Sequence, residues 1–170
     1  MAMDPTYITA FVSSIQNVFS TMLQLPVTVG DPSIKKVAKP THDVSGVIAM
    51  SGEVMGSIVL SFEQDAAESI VALFCGEKLA MDTADFADAV GELVNMVSGN
   101  AKAKFPNNKK VSISCPSVIV GPGHSFAVQT DMPCVVIPCS TDCGEVVIEV
   151  AVREQPAETA GAATEAAAQA

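Results

Sequence analysis

Asp88, Glu92 and Asn95 stand at i, i+4 and i+7 in the run DFADAVGELVNMVSGNAKAKF, residues 85–105. At about 100° per residue this spacing sets two carboxylates and a carboxamide on one stripe of a helix. Phe86, Val90, Leu93, Val97 and Ala101 share the opposite stripe, so the helix is anchored in a core while the polar trio faces outward. Gly91, Ser98 and Gly99 flank the trio with almost no side-chain bulk. A glycine inside a helix costs about 1 kcal/mol relative to alanine, and clearance for another molecule's surface is one reason to accept that. An acid and an amide on a bare, flat helix suit work on a docked macromolecule better than work in a closed pocket.

The elements that must position this stripe are legible on either side of it. Asp4 before Pro5 is a helix start, and Phe11, Ile15, Val18, Phe19 and Met22 then repeat at helical spacing until Pro26. Val27 to Val29 reads as a short strand, and the proline-bearing stretch from Gly30 to Thr41 as loop. Val44 to Met50 and Val54 to Phe62 form a hairpin around Ser51-Gly52. A short helix from Asp65 to Phe74 follows, with Gly76 as its C-terminal cap. The long helix runs from Asp82 to Phe105, capped by Asp82 or Thr83 and stopped by Pro106. Val111 to Ser114, Ser117 to Val120, Val135 to Ile137 and Glu145 to Val152 are further strands, with Asp142-Cys143-Gly144 as the last turn. This order predicts an α/β fold of the α+β type, a mainly antiparallel sheet packed with a few long helices. The domain spans residues 1–153. Residues 154–170, alanine-rich and acidic, bury too little to hold a fixed structure and are expected to form a disordered tail.

Composition removes several function classes. A net charge of −10 and the absence of a basic stripe argue against nucleic acid. The clusters at Lys35, Lys36 and Lys39, and at Lys109 and Lys110, read as solvated loops. No apolar run approaches the ~18 residues of a membrane span, and no Lys or Arg precedes Lys35, as a secretory leader would require. A cytoplasmic location is the expectation, and five cysteines, an odd number, suit a reduced compartment.

The other candidate chemistries are thinner. Cys134, Cys139 and Cys143, with Cys115 as a fourth thiolate, lack the paired spacing of a zinc knuckle, and core packing is the preferred reading. His42 and His124 sit in turn contexts with no nucleophile motif nearby, which predicts loop histidines. Gly121-Pro122-Gly123 has neither the lysine nor the helix of a phosphate loop, and is a turn.

Asp88-x3-Glu92-x2-Asn95 resembles the active motif, Asp or Ser-x3-Glu-x2-Asn, of the CheC/CheX/FliY family of chemotaxis phosphatases. FVSSIQNVFSTMLQLPV, VSGVIAMSGEVMGSIVLSF and PSVIVGPGH resemble its CheX branch in order and spacing, so the likeness covers about Tyr7 to Val152. CheC-type members carry two copies of the motif. Here the first helix offers Ser13 and Ser14 followed by Ile15-Gln16-Asn17 without a glutamate, the single-copy arrangement of CheX.

The resemblance implies a CheC-like fold, a homodimer, and a protein phosphatase acting on the aspartyl phosphate of a CheY-type response regulator. It implies that Asn95 enters the regulator's active site and orients the attacking water, which suits a carboxamide because it both donates and accepts hydrogen bonds. It implies that Glu92 pairs with a lysine there. Asp88, at the first motif position, is expected to contact the partner or to reinforce the local negative potential, and the absence of side chains at Gly91 and Gly99 is expected to give clearance for the approaching surface. The Mg²⁺ belongs to the regulator, so no cofactor of the chain's own is expected. The rival reading is a non-catalytic dimeric module that binds a response regulator without hydrolysing anything.

Overall fold

The computed structural model describes residues 3–39, 42–127 and 131–156. Three helices, α1 (Pro5–Leu23), α2 (Gln64–Cys75) and α3 (Ala84–Lys102), accompany an eight-stranded antiparallel sheet. Its strands are β1 (Thr28–Val29), β2 (Ser33–Ile34), β3 (Val44–Gly52), β4 (Val54–Phe62), β5 (Val111–Ile113), β6 (Ser117–Val120), β7 (Val135–Thr141) and β8 (Gly144–Glu154). The spatial order is β1-β7-β8-β4-β3-β5, with β2 also on β7 and β6 also on β3. The fold class is the expected one.

The centre of the sheet is the β3–β4 hairpin extended by β8, whose register pairs Ile58 with both Ile48 and Val150. Side chains of one parity on these strands, including Ile48, Ile58, Leu60 and Ile148, meet Phe11, Ile15, Ile70 and Leu93 from the helices in one core. The helices therefore cover a single face of the sheet.

Element ends depart from the sequence reading in instructive ways. The side chain of Asp4 caps α1 as expected, accepting from the Thr6 N–H at 2.9 Å. The helix stops at Gln24, in a left-handed conformation, two residues before Pro26. Helix α3 is capped by Thr83, whose Oγ accepts from the Phe86 N–H at 3.3 Å, and ends at Lys102 rather than at Phe105. Phe105 turns into the core instead, against the rings of Tyr7 and Phe11. Ser33 and Ile34, read as loop, pair with β7. Strand β8 continues through Glu154, one residue past the expected domain boundary, and residues 157–170 of the expected tail lie outside the described residues.

On the second face of the sheet one reading fails and another gains unexpected partners. Lys35 was expected on a solvated loop, yet its ammonium lies 2.6 Å from Glu149 and both side chains are buried. His124 is a loop histidine, as expected, and it is held by hydrogen bonds. Its Nε2 lies 2.7 Å from Ser45 Oγ, which in turn lies 2.8 Å from Ser61 Oγ, and both serines are fully buried. His124 Nδ1 is 2.7 Å from the Gly121 carbonyl, which can only accept, so Nδ1 carries its proton. Both residues fasten loop segments over polar positions of the sheet, satisfying groups that burial would otherwise leave costly.

Candidate functional site

Helix α3 presents its stripe as the spacing predicts. Phe86, Val90, Leu93, Val97 and Ala101 are all buried, while Asp88 and Glu92 are exposed and Asn95 is half-buried. With a rise of about 1.5 Å per residue, Asp88 to Asn95 spans roughly 10 Å of helix. None of the three side chains forms a hydrogen bond or ion pair with another described residue. The row is open and uncommitted.

Its backbone is held tightly from below. Ser14 on α1 donates from Oγ to the Val97 carbonyl at 2.6 Å, a buried bond that ties the two helices together. Val94, next to Asn95, rests on Gly46 of β3. The helix can thus present a side chain to a partner without moving itself, the kind of preorganisation that positional catalysis requires.

The flanking small residues divide into different roles. A Cβ on Gly91 would lie 3.2 Å from Pro116 Cγ, so the clearance expected there for a partner is taken up within the chain by β6 and the residue before it. Ser98 does not flank the trio either: it is buried and donates to the Val94 carbonyl at 2.7 Å. Gly99 is the open one, since a Cβ there would meet nothing within 4 Å.

Two shallow hollows run along the sides of the stripe. Asp88, Gly91 and Glu92 line one together with Pro116 and Val118, and Asn95 and Gly99 line the other together with Asn17 and Met22 of α1. Pro116, Val118, Asn17 and Met22 were not named as site residues from sequence. Nothing local marks them, because their place beside the stripe depends on β6 pairing with β3 and on α1 packing against α3.

The remaining candidates separate. Cys134, just before β7, and Cys139 within it are buried, Cys143 is half-buried and Cys75 and Cys115 are exposed. Among the described residues no group of three or more His, Cys, Asp or Glu is placed to hold a metal ion. No helix among them is long and apolar enough to cross a membrane.

With this geometry in place, comparison with known proteins is direct. The family model described as chemotaxis phosphatase CheX matches residues 44–140, more than half of the chain, including all of α3. The chain belongs to the CheX family of chemotaxis phosphatases. The CheY-P phosphatase CheX of Thermotoga maritima is 28% identical over 136 residues, covering 77% of this chain and 88% of that protein. A CheC-like superfamily protein from Shewanella sp. PV-4 is 33% identical with a TM-score of 0.79, over 89% of this chain and 99% of that one. The same fold recurs at 22% identity and a TM-score of 0.73 in the CheX of Borrelia burgdorferi, solved with CheY, BeF3 and Mg²⁺, over 87% of this chain and 98% of that one.

Proposed function

We propose that this chain hydrolyses the aspartyl phosphate of a CheY-type response regulator, with α3 as the docking and catalytic element. The observation that carries the reading is the row of Asp88, Glu92 and Asn95, exposed or half-exposed and uncommitted, on a helix pinned to the core by Ser14 and Gly46. Family membership and the CheY-P phosphatase from Thermotoga maritima support the substrate class.

An acyl phosphate is already reactive, so the task is to hold a water in line with the bond that breaks. The Asn95 carboxamide does this. Its oxygen accepts one hydrogen of the water while the water oxygen faces phosphorus. The phosphorus–carboxylate bond then breaks, giving inorganic phosphate and the free aspartate. Glu92, three residues earlier on the same stripe, pairs with a lysine of the regulator and fixes how deeply the amide enters. Asp88, one turn further back and exposed, extends the contact. The regulator supplies its own Mg²⁺.

The net charge of −10 gives no long-range attraction to an acidic regulator, so the complex is transient and weak without the phosphoryl group. The protein acts as a homodimer; sedimentation or light scattering giving a monomer at working concentration overturns that part. The central experiment is decay of a phosphorylated CheY-type receiver with and without this protein and its Asn95→Ala variant. Acceleration that vanishes in the variant supports the mechanism. Tight association without acceleration, across several receivers, replaces it with a non-catalytic regulator-binding module.

A further inference from the structure

The two sides of the stripe differ in chemistry. On the β6 side the hollow is lined by the carboxylates of Asp88 and Glu92 above Pro116 and Val118. On the α1 side the hollow contains no charged residue: Met22, Met96, Ile113 and Gly99 share it with the amides of Asn17, Asn95 and Asn100. Met22 is 49% exposed, one of the few large apolar side chains among the described residues that reach solvent to this extent. The Thr21 hydroxyl beside it is turned back onto the Asn17 carbonyl at 2.7 Å, so it offers no free donor to a ligand.

We propose that this α1–α3 hollow is a second docking contact, which receives an uncharged, apolar side chain of the phosphorylated receiver next to its phosphoaspartate and so sets partner preference. The inference rests on the phosphatase reading given above. Footprint size supports it. A transient complex buries less than about 1,200 Å² in total, so each partner contributes up to about 600 Å², a disc reaching ~14 Å from its centre. Packed helices run about 8–10 Å apart, and a footprint centred on Asn95 therefore includes the outer face of α1. Asn95 itself lines the hollow, so the contact is continuous with the catalytic amide.

Charge gives the same answer. A receiver brings the phosphoryl group and its own acidic cluster to Asn95, and in a chain of net charge −10 an uncharged flank avoids adding repulsion there. Methionine is an unbranched, polarizable side chain that adapts to the shape of an apolar partner. The division is then simple: the carboxylate side takes the cation, and the methionine side takes the apolar contact.

The test uses Met22→Glu and Gly99→Leu in the full chain. Both should fold, since Met22 is already 49% exposed and a Cβ on Gly99 meets nothing within 4 Å; circular dichroism and thermal melts check this. Steady-state hydrolysis of a phosphorylated CheY-type receiver is measured beside binding of the same receiver loaded with beryllofluoride. KM and Kd are expected to rise about tenfold or more in both variants, with kcat within about threefold of the wild type. Unchanged Kd and KM in folded variants overturn the second contact while leaving the phosphatase reading intact. If the wild type binds the loaded receiver without hydrolysing it, the phosphatase reading fails and the binding arm still decides this inference. No binding by the wild type overturns both.

Discussion

Gly46 on β3 lies so close beneath Val94 on α3 that a Cβ added to it would come within 2.9 Å of Val94 Cγ1. Val94 precedes Asn95, so this contact fixes the height of the helix above the sheet at the level of the amide. Gly46→Ala should lower stability by about 1–3 kcal/mol, the usual cost of overpacking a close contact, and should reduce phosphatase activity by displacing α3. Urea unfolding and receiver dephosphorylation measure the two effects. An unchanged midpoint and rate would mean that the helix has slack and that its seat does not position Asn95.

Asn95→Ala and Glu92→Ala should fail in different ways. Loss of the water-positioning amide removes about 2–4 kcal/mol of transition-state stabilisation, roughly a 30- to 1,000-fold fall in kcat, with the fold intact. Glu92→Ala should raise KM as well as slow turnover, because it removes a docking contact. Neither side chain forms a hydrogen bond with another described residue, so melting temperatures should stay near that of the wild type. Full kcat in Asn95→Ala would sink the mechanism.

Lys35→Met should destabilise the protein by about 3 kcal/mol. The ammonium lies 2.6 Å from Glu149, whose carboxylate is only 3% exposed, and is one of the groups that hold it. Removing it leaves that carboxylate in a poorly solvated place, whereas Lys36→Met, on an exposed neighbour, should cost about 0.5 kcal/mol or less. Equal denaturation midpoints for the two variants would refute the distinction.

The five thiols should react in three classes. Cys75 and Cys115 are exposed and should label rapidly with a chromogenic disulfide at pH 8, Cys143 slowly, and Cys134 and Cys139 only on unfolding. Burial pushes the Cys134 and Cys139 thiols from 9.0 up to about 11. The folded state therefore retains protons that the unfolded chain has already lost above pH 9. Their contribution to stability is complete below that pH and declines as pH rises from 9 towards 11. Cys134→Ser combined with Cys139→Ser should flatten this alkaline decline in a urea series. A decline of unchanged slope would assign it elsewhere.

The sequence by itself determined the amphipathic frame of α3, because helical periodicity is a local property. Residues 86, 90, 93, 97 and 101 are buried wherever this helix packs, and Asp88 and Glu92 must then face away. The hairpin, the Asp4 and Thr83 caps and the end of α2 at Gly76, with φ +76, were legible for the same reason: each depends on residues within a few positions of one another.

Tertiary structure alone decided what stands beside the stripe. Ser117 lies across from Val47 in the pairing of β6 with β3, and this brings the preceding Pro116 against Gly91. A glycine read as room for a partner is thereby filled from within. The α1–α3 packing turns Met22, an ordinary member of an apolar repeat, into the exposed wall of a hollow beside Asn95. Lys35 and His124 became fastenings of the second sheet face for the same reason. A side chain's partner across the fold is set by strand register and helix packing between distant segments, and no pattern within either segment carries that information.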